Sequence, residues 1–416
     1  MLRNTSIITI TINWLAVAVV ASLLACTSEK DQSMDFTKGQ YGYDLEKLQQ
    51  HYSTIELVAG PSRLVVVPEF QGRVMTSTTD GSEGFSFGWV NHELLETDQL
   101  SEQFNAFGGE ERFWIGPEGG QFSFYFDQGK PMTMENWRVP SAIDSMPWDV
   151  IEANPETATF RKTFELDNYS GVRFKIEATR RVSIIDPIEL DEYLPLKPDT
   201  SVRVVAYESL NQLKNAGDFA WDKTTGMPSI WMLSMYRPSP EVTMVLPFKK
   251  DGEGPVVTDD YFGEVPSERL KVDDGVIYFK ADGKYRSKLG ISPERAVPIM
   301  GSYDAENACL TILMCSLDTL TTEFVNSAWE EKQDKPFKGD AINAYNDGPL
   351  ADGGQLGPFY ELESSSSVAA LASGEVKMHF QRTFHFEGAE EKLDPIARQL
   401  LGVSIDQIKQ ALSDDG

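Results

Sequence analysis

The stretch Val172-Arg-Phe-Lys-Ile-Glu-Ala-Thr-Arg-Arg-Val-Ser-Ile184 decides the fold class. Val172, Phe174, Ile176, Ala178, Val182 and Ile184 fall at even spacings, the period of a β-strand with one buried face. The same alternation runs through Ser62–Val67, Thr157–Leu166, Val202–Leu210, Ser229–Tyr236, Val242–Phe248, Val276–Ala281 and Val376–Phe386. Phe85, Phe87 and Trp89, and then Phe122, Phe124 and Phe126, are predicted as strands on the same pattern. Gly60-Pro61, Asp80-Gly81, Asp274-Gly275 and Asp282-Gly283 supply turns between many of the runs. Short strands with few helices between them predict a mainly β, antiparallel sandwich of two stacked sheets rather than βαβ units. No fixed-period repeat suggests a propeller or solenoid.

Helices are expected at the ends. Asp44–His51 reads as a short helix, and residues 389–416 as a helical pair. In that pair Asp394 caps Pro395 at a first helical position, and Gly402 stops the helix. Ser404 and Gln407 then form a capping box for the second helix. Cys309 and Cys315 bracket the apolar run Leu310–Met314, read as a buried strand. Six residues of strand span about 20 Å, beyond the reach of a disulfide, so two buried thiols are expected.

Composition narrows the function. Of 416 residues, 41% are hydrophobic, and 37 Lys+Arg stand against 64 Asp+Glu for a net charge of −27. That surface repels phosphate backbones and excludes nucleic acid as a natural partner. At the N-terminus Arg3 precedes an apolar stretch from Ile7 to Ala25 that ends in Leu23-Leu24-Ala25-Cys26, the form of a bacterial lipobox. Residues 1–25 are expected to be a lipoprotein signal peptide, with Cys26 the lipidation site. Residues 26–40 then form a polar tether, 41–388 the β-domain and 389–416 the helical extension. The address is the bacterial cell envelope, on the periplasmic or surface face of the outer membrane. Ser28-Glu29-Lys30-Asp31 resembles the acidic export signals of surface lipoproteins.

Four segments carry candidate chemistry. Asn105–Gly120 holds five glycines beside Glu110, Glu111, Arg112, Trp114 and Glu118. Carboxylates and a guanidinium suit sugar hydroxyls, and an indole suits the C–H face of a pyranose. Near the C-terminal end, Tyr345, Asn346 and Asp347 precede a strand on which Glu361 and Glu363 share one side, about 7 Å apart, with Leu362 opposite. A pair of carboxylates can do acid–base work, so both are candidate catalytic groups. Lys284, Arg286 and Lys288 alternate as cations, available to pair with those acids or to hold an anion. Asn211 and Trp221 are candidate cleft residues. Histidine is limited to His51, His92, His379 and His385, without metal-ligand spacing. No cofactor or metal is expected, and no motif supports calcium.

Taken in order, these motifs resemble the galactose-mutarotase-like (aldose-1-epimerase-like) superfamily. Pro68-Glu-Phe-Gln-Gly-Arg-Val is similar to its early Gly-Arg-Ile strand, and Asn105-Ala-Phe-Gly-Gly109 to its Asn-x-x-His-Gly-Gly loop. Phe359-Tyr-Glu-Leu-Glu-Ser364 and Leu371-Ala-Ser-Gly-Glu375 resemble its late strand and the turn that follows. Ser229-Ile-Trp-Met-Leu and Tyr345-Asn-Asp-Gly-Pro also resemble segments in a group of bacterial lipoproteins with this fold. The resemblance covers roughly residues 53–388. It implies an antiparallel supersandwich, a sugar ligand and Glu363 as the matching general base. It also marks two departures, because the histidine position of the Gly-Gly loop is Phe107 and the second family histidine has no counterpart. The expectation is a lipid-anchored carbohydrate-binding protein without standard mutarotase chemistry. The alternatives are an epimerase-like enzyme using Glu363 and a structural or interaction lipoprotein.

Overall fold

Alternation becomes burial along the quoted stretch: Phe174, Ile176, Ala178 and Val182 are fully buried while Arg173, Lys175 and Arg181 are exposed. The computed structural model describes residues 36–97, 99–350 and 353–413. The expected signal peptide, Cys26 and most of the expected tether lie outside the described residues.

Helix α1 (Tyr41–Gln49) leads into β1 (Ile55–Ala59), β2 (Ser62–Val67) and β3 (Arg73–Thr78). After α2 (His92–Leu95) come β4 (Arg112–Gly116), β5 (Asp149–Ala153), β6 (Thr157–Asp167), β7 (Arg173–Ile185) and β8 (Arg203–Asn215). Next are β9 (Ser229–Tyr236), β10 (Val242–Pro247), β11 (Leu270–Asp273), β12 (Val276–Lys280) and β13 (Ser287–Ile291). The chain continues through β14 (Ile299–Asp304), β15 (Cys309–Cys315), β16 (Ile342–Asn346), β17 (Tyr360–Ser365) and β18 (Val376–Glu387). Helices α3 (Glu390–Leu401) and α4 (Ile405–Gln410) follow.

The antiparallel strands form a ten-stranded sheet, β11-β12-β10-β14-β15-β18-β8-β7-β6-β5, and a five-stranded sheet, β13-β16-β17-β9-β4. A third sheet, β1-β2-β3, completes the architecture. The predicted β class and the C-terminal helices are both present. Cys309 and Cys315 are free buried thiols on β15.

Burial explains where each layer sits. Phe384, Phe386, Leu310 and Ile312 point out of the ten-stranded sheet and are covered by Leu393, Ile396, Leu400, Leu401, Ile405 and Ile408 of the helical pair. On the other side, β17 reaches the large sheet through Ser364, whose hydroxyl meets His379 Nε2 at 2.8 Å and Gln381 Oε1 at 2.7 Å. Ser302 and the Tyr360 hydroxyl bond across the same gap at 2.8 Å. The residues of β17 with the parity of Ser364 therefore face the interior.

That interior is unusually polar. Arg180, at an inward position of β7, donates to Glu111 Oε1 (2.6 Å), Asn211 Oδ1 (3.1 Å) and the Gly72 carbonyl (3.0 Å). Gln381 donates to the other Glu111 oxygen at 2.9 Å. Glu110 takes the Ser77 hydroxyl at 2.7 Å and lies 2.8 Å from His385 Nε2. Burial raises the Glu111 carboxyl and lowers the Arg180 guanidinium, each opposed by its partner's charge.

Three local expectations are corrected. Residues 85–89 make only isolated bridges, and 121–126 form turns rather than a strand. Phe124 and Phe126 are nonetheless buried, edge-on to Phe174 and Trp329, so alternating aromatics here mark a loop pinned into the core. Helix α3 starts at Glu390, which puts Pro395 inside it. Asp394 instead accepts from Arg398 and from the Ile405 amide of α4. Gly402 does stop α3 in the left-handed region, and Ser404 and Gln407 form the expected capping box.

Arg180→Ala leaves Glu111 buried without its cation, so urea unfolding is expected to show a loss of about 3–5 kcal/mol. The paired change Arg180→Met with Glu111→Leu should recover most of it. A small loss in the single variant would contradict the pairing. His379 is buried between two hydroxyls, and burial, helped by Lys377, pushes its imidazole down to about 3. Stability from keeping it neutral is complete above the ordinary pKa of about 6.5 and is lost as pH falls toward 3. Replacing His379 with Gln should flatten that acid limb.

Candidate functional site

Because side chains alternate, the residues of β17 that turn away from the interior are Glu361 and Glu363. Register fixes their neighbours. One row across the five-stranded sheet reads Lys288, Tyr345, Glu361, Met235; the next reads Asn343, Glu363, Leu233, Arg112. Trp231 stands opposite Trp114 in a third row. All these side chains share the outer face.

They are tightly joined. Arg112 Nη2 meets Glu361 Oε1 at 2.6 Å, and the guanidinium lies 4.5 Å over the Trp114 ring. Lys288 Nζ is 3.0 Å from Glu363 Oε2, which also accepts from Trp231 Nε1 at 2.9 Å. The same ammonium sits 4.8 Å over the Trp231 ring. Glu118, just beyond β4, lies beside Trp137 and Trp329 and within the field of Lys288 and Glu363. At the far edge Tyr345 donates to Asp347, and Arg286 stacks 4.3 Å over Phe262. Tyr261 donates to Asp340.

Burial raises the Glu361 carboxyl, and Glu363 adds to the effect against the pull of Arg112 and Lys288. Glu118 and Asp347 are raised by burial as well, and burial pushes Asp340 up to about 6. For Lys288 burial alone would lower the pKa, but Glu363, Glu118 and Glu361 together carry it upward. The face therefore holds fixed cations beside carboxyls with heightened proton affinity.

Several buried polar atoms here have no protein partner: Arg112 Nε and Nη1, Trp114 Nε1 and Glu363 Oε1. Leaving such a group unsatisfied costs about 1–3 kcal/mol. Two donor groups and one acceptor on one face are the complement of a hydroxylated guest. Two cavities lie elsewhere. The gap lined by Phe87, Tyr236 and His385 is about 10 Å³, room for one water at most. A larger cavity of about 610 Å³ opens between residues 124–128 and 165–173. Its rim is occupied by the Arg173–Asp167 pair. Tyr125 and Phe126, in its wall, pack against Trp137 and Trp329.

The structure thus brings together Arg112, Trp114, Glu118, Glu361 and Glu363, with Tyr345, Asp347 and Arg286 at one edge. It separates the others. Glu110, Glu111 and Asn211 point into the sandwich, where they bond to His385, Arg180 and each other's neighbours. Trp221 is a core residue, 1% exposed, with its ring 5.4 Å from Phe174. Lys284 is exposed in the turn before β13, which begins only at Ser287, so the three cations do not share a strand face. Asn346 is wholly buried and pins that turn through the Gly283 amide and Tyr285 carbonyl. Phe107 stacks 4.1 Å from Phe70, in the core under β2 and β3. Trp231, Trp137, Trp329, Tyr261 and Asp340 were not singled out. The parity of Trp231 with Leu233 would have placed it on the face, whereas the loop residues left no periodic signal. Among the described residues no three His, Cys, Asp or Glu side chains come together as a metal set.

Residues 39–412 match the model of the family of unknown function DUF6786. The chain belongs to that family. No curated protein matches it. Among solved structures, the family member is similar to the Slr1438 protein of Synechocystis sp. PCC 6803, at 13% identity over 81% of this chain and 96% of that one, TM-score 0.49. It is similar to a putative aldose 1-epimerase of Escherichia coli K12, at 10% identity over 80% and 98%, TM-score 0.48. A galactose mutarotase-like protein of Lactobacillus casei ATCC 334 gives 9% identity over 80% and 99%, TM-score 0.44.

The electrostatics of this face can be checked directly. Lys288→Met removes a charge that lowers both Glu361 and Glu118. Carbon-13 titration of the carboxyls should show both midpoints moving up by about one pH unit or more. An unmoved Glu361 would contradict the arrangement.

Proposed function

We propose that this chain is a lipid-anchored carbohydrate-binding protein whose ligand lies against the outer face of the five-stranded sheet. The observation that carries the reading is the set of unpartnered polar atoms on Arg112, Trp114 and Glu363. A sugar hydroxyl accepts from Arg112 and donates to Glu363 Oε1. Arg112 and Glu363 are held at fixed orientation by Glu361 and by Lys288 and Trp231, so little ordering is left to be done on binding. The anchor in this reading is Cys26. A Cys26→Ser variant should lose incorporated palmitate and leave the membrane fraction; membrane retention would contradict the anchor.

Calorimetry across mono- and oligosaccharides tests the binding claim. Binding of at least one sugar is expected, weakened about tenfold or more by Glu363→Gln, since a hydrogen bond to a charged group is worth about 1.5–3 kcal/mol. Uniform silence would overturn it.

One observation favours a second, catalytic reading. Lys288 and Trp231 occupy only Glu363 Oε2, which leaves Oε1 free to take a proton. The described histidines are elsewhere: His379 and His385 are interior, His92 bonds Asp44 and His51 is exposed. The proton donor would then be Glu361, whose carboxyl burial raises. In that case Glu361→Gln and Glu363→Gln should each slow anomerisation measured by NMR. Rates equal to the uncatalysed reaction in the wild-type protein would exclude it.

A further inference from the structure

Glu118, Asp340 and Asp347 are the carboxylates of this face that form no ion pair among the described residues, and Asp340 and Asp347 each take a tyrosine hydroxyl instead. Arg112 and Lys288 are committed to Glu361 and Glu363 at 2.6 and 3.0 Å. Among the described residues no cation approaches Glu118 within ion-pairing distance, although Lys288 acts on it from further away. Its side chain is half-buried and is walled by Trp137 and Trp329, whose ring centroids are 6.2 Å apart at 25°. Trp114 lies 6.4 Å from Trp137 and extends the aromatic wall toward Arg112. On the same face Glu363 Oε1, fully buried, has no partner. Arg112 and Lys288 are therefore taken by Glu361 and Glu363, and Glu118 has no cation of its own.

We propose that the guest of this site carries a protonated amine, as an amino sugar does, and seats it on Glu118 against Trp137 and Trp329. The proposal rests on the carbohydrate reading of the face and names its ligand class. An ammonium is attracted by the carboxylate, which the indole N–H edges of Trp137 and Trp329 border. Charge selects against the opposite class. A uronate, sulfate or phosphate ester would approach Glu118, Glu361 and Glu363 on a chain of net charge −27, and like charges in a desolvated site are costly. Burial raises the Glu118 carboxyl and an arriving ammonium lowers it again, so ammonium binding is linked to proton release from that group.

The test is calorimetry of the full chain near neutral pH with glucosamine, N-acetylglucosamine and glucuronate, repeated in buffers of different ionisation enthalpy. Glucosamine is expected to bind about tenfold or more tightly than its N-acetyl counterpart, with net proton release, and glucuronate most weakly. In Glu118→Gln the ratio of the first two affinities should fall toward one. Equal affinities in the wild-type protein, or a preference that survives in Glu118→Gln, overturn the amine proposal while leaving carbohydrate binding in place. Silence toward every sugar overturns the carbohydrate reading itself. Should Glu118→Gln fold poorly by near-ultraviolet circular dichroism, the wild-type ratio and the proton count still decide.

Discussion

The buried contact between Arg180 and Glu111 is what the rest of the architecture turns on. Glu111 and Arg112 are consecutive, and Glu111 is drawn into the sandwich by a guanidinium that is itself fully buried on β7. Arg112 must then look the other way, because successive side chains of a strand point to opposite faces. Register carries the consequence across the sheet: with Arg112 outward, Leu233 and Glu363 in the same row are outward too. A slip of one residue would put the charged row inside and Phe113, Leu362 and Met232 outside, a cost no exposed interaction could offset. The interior pair fixes the polarity of the outer face.

The Arg180–Glu111 contact and the Arg112–Glu363 row differ in how completely they are paired. Inside, both oxygens of Glu111 and all three nitrogens of the Arg180 guanidinium have partners. That is the condition for keeping charge in a core at tolerable cost. Outside, Arg112 uses one nitrogen and Glu363 one oxygen. Natural folds keep few such groups unmatched, and those of Arg112, Trp114 and Glu363 lie together on one face.

Most of the scaffold was legible. Ser62–Val67 and Ser229–Tyr236 are strands with those bounds, and the capping box at Ser404 is present. The aromatic alternations at 85–89 and 122–126 misled because large rings are buried wherever they lie, strand or loop. The candidate site was legible in part. Glu361 and Glu363 on one side follow from parity alone, and Arg112 and Trp114 are also two apart. What blurred the reading was treating Glu110, Glu111 and Arg112 as one loop cluster, when the strand that starts at Arg112 splits them between faces. Arg180 held the missing signal: it occupies an inward position in a run otherwise apolar on that face, which calls for a buried acid. Trp137 and Trp329 come from irregular segments, where no periodicity tells which way a side chain points.

The most direct measurement is nitrogen-15 NMR of the arginine Nε and tryptophan indole groups during titration with a bound sugar. The account predicts that Arg112 Nε and Trp114 Nε1 shift together along one saturable curve while Arg180 Nε stays still. Saturable binding with Arg112 and Trp114 unmoved, or with the change centred on Arg180, would contradict it.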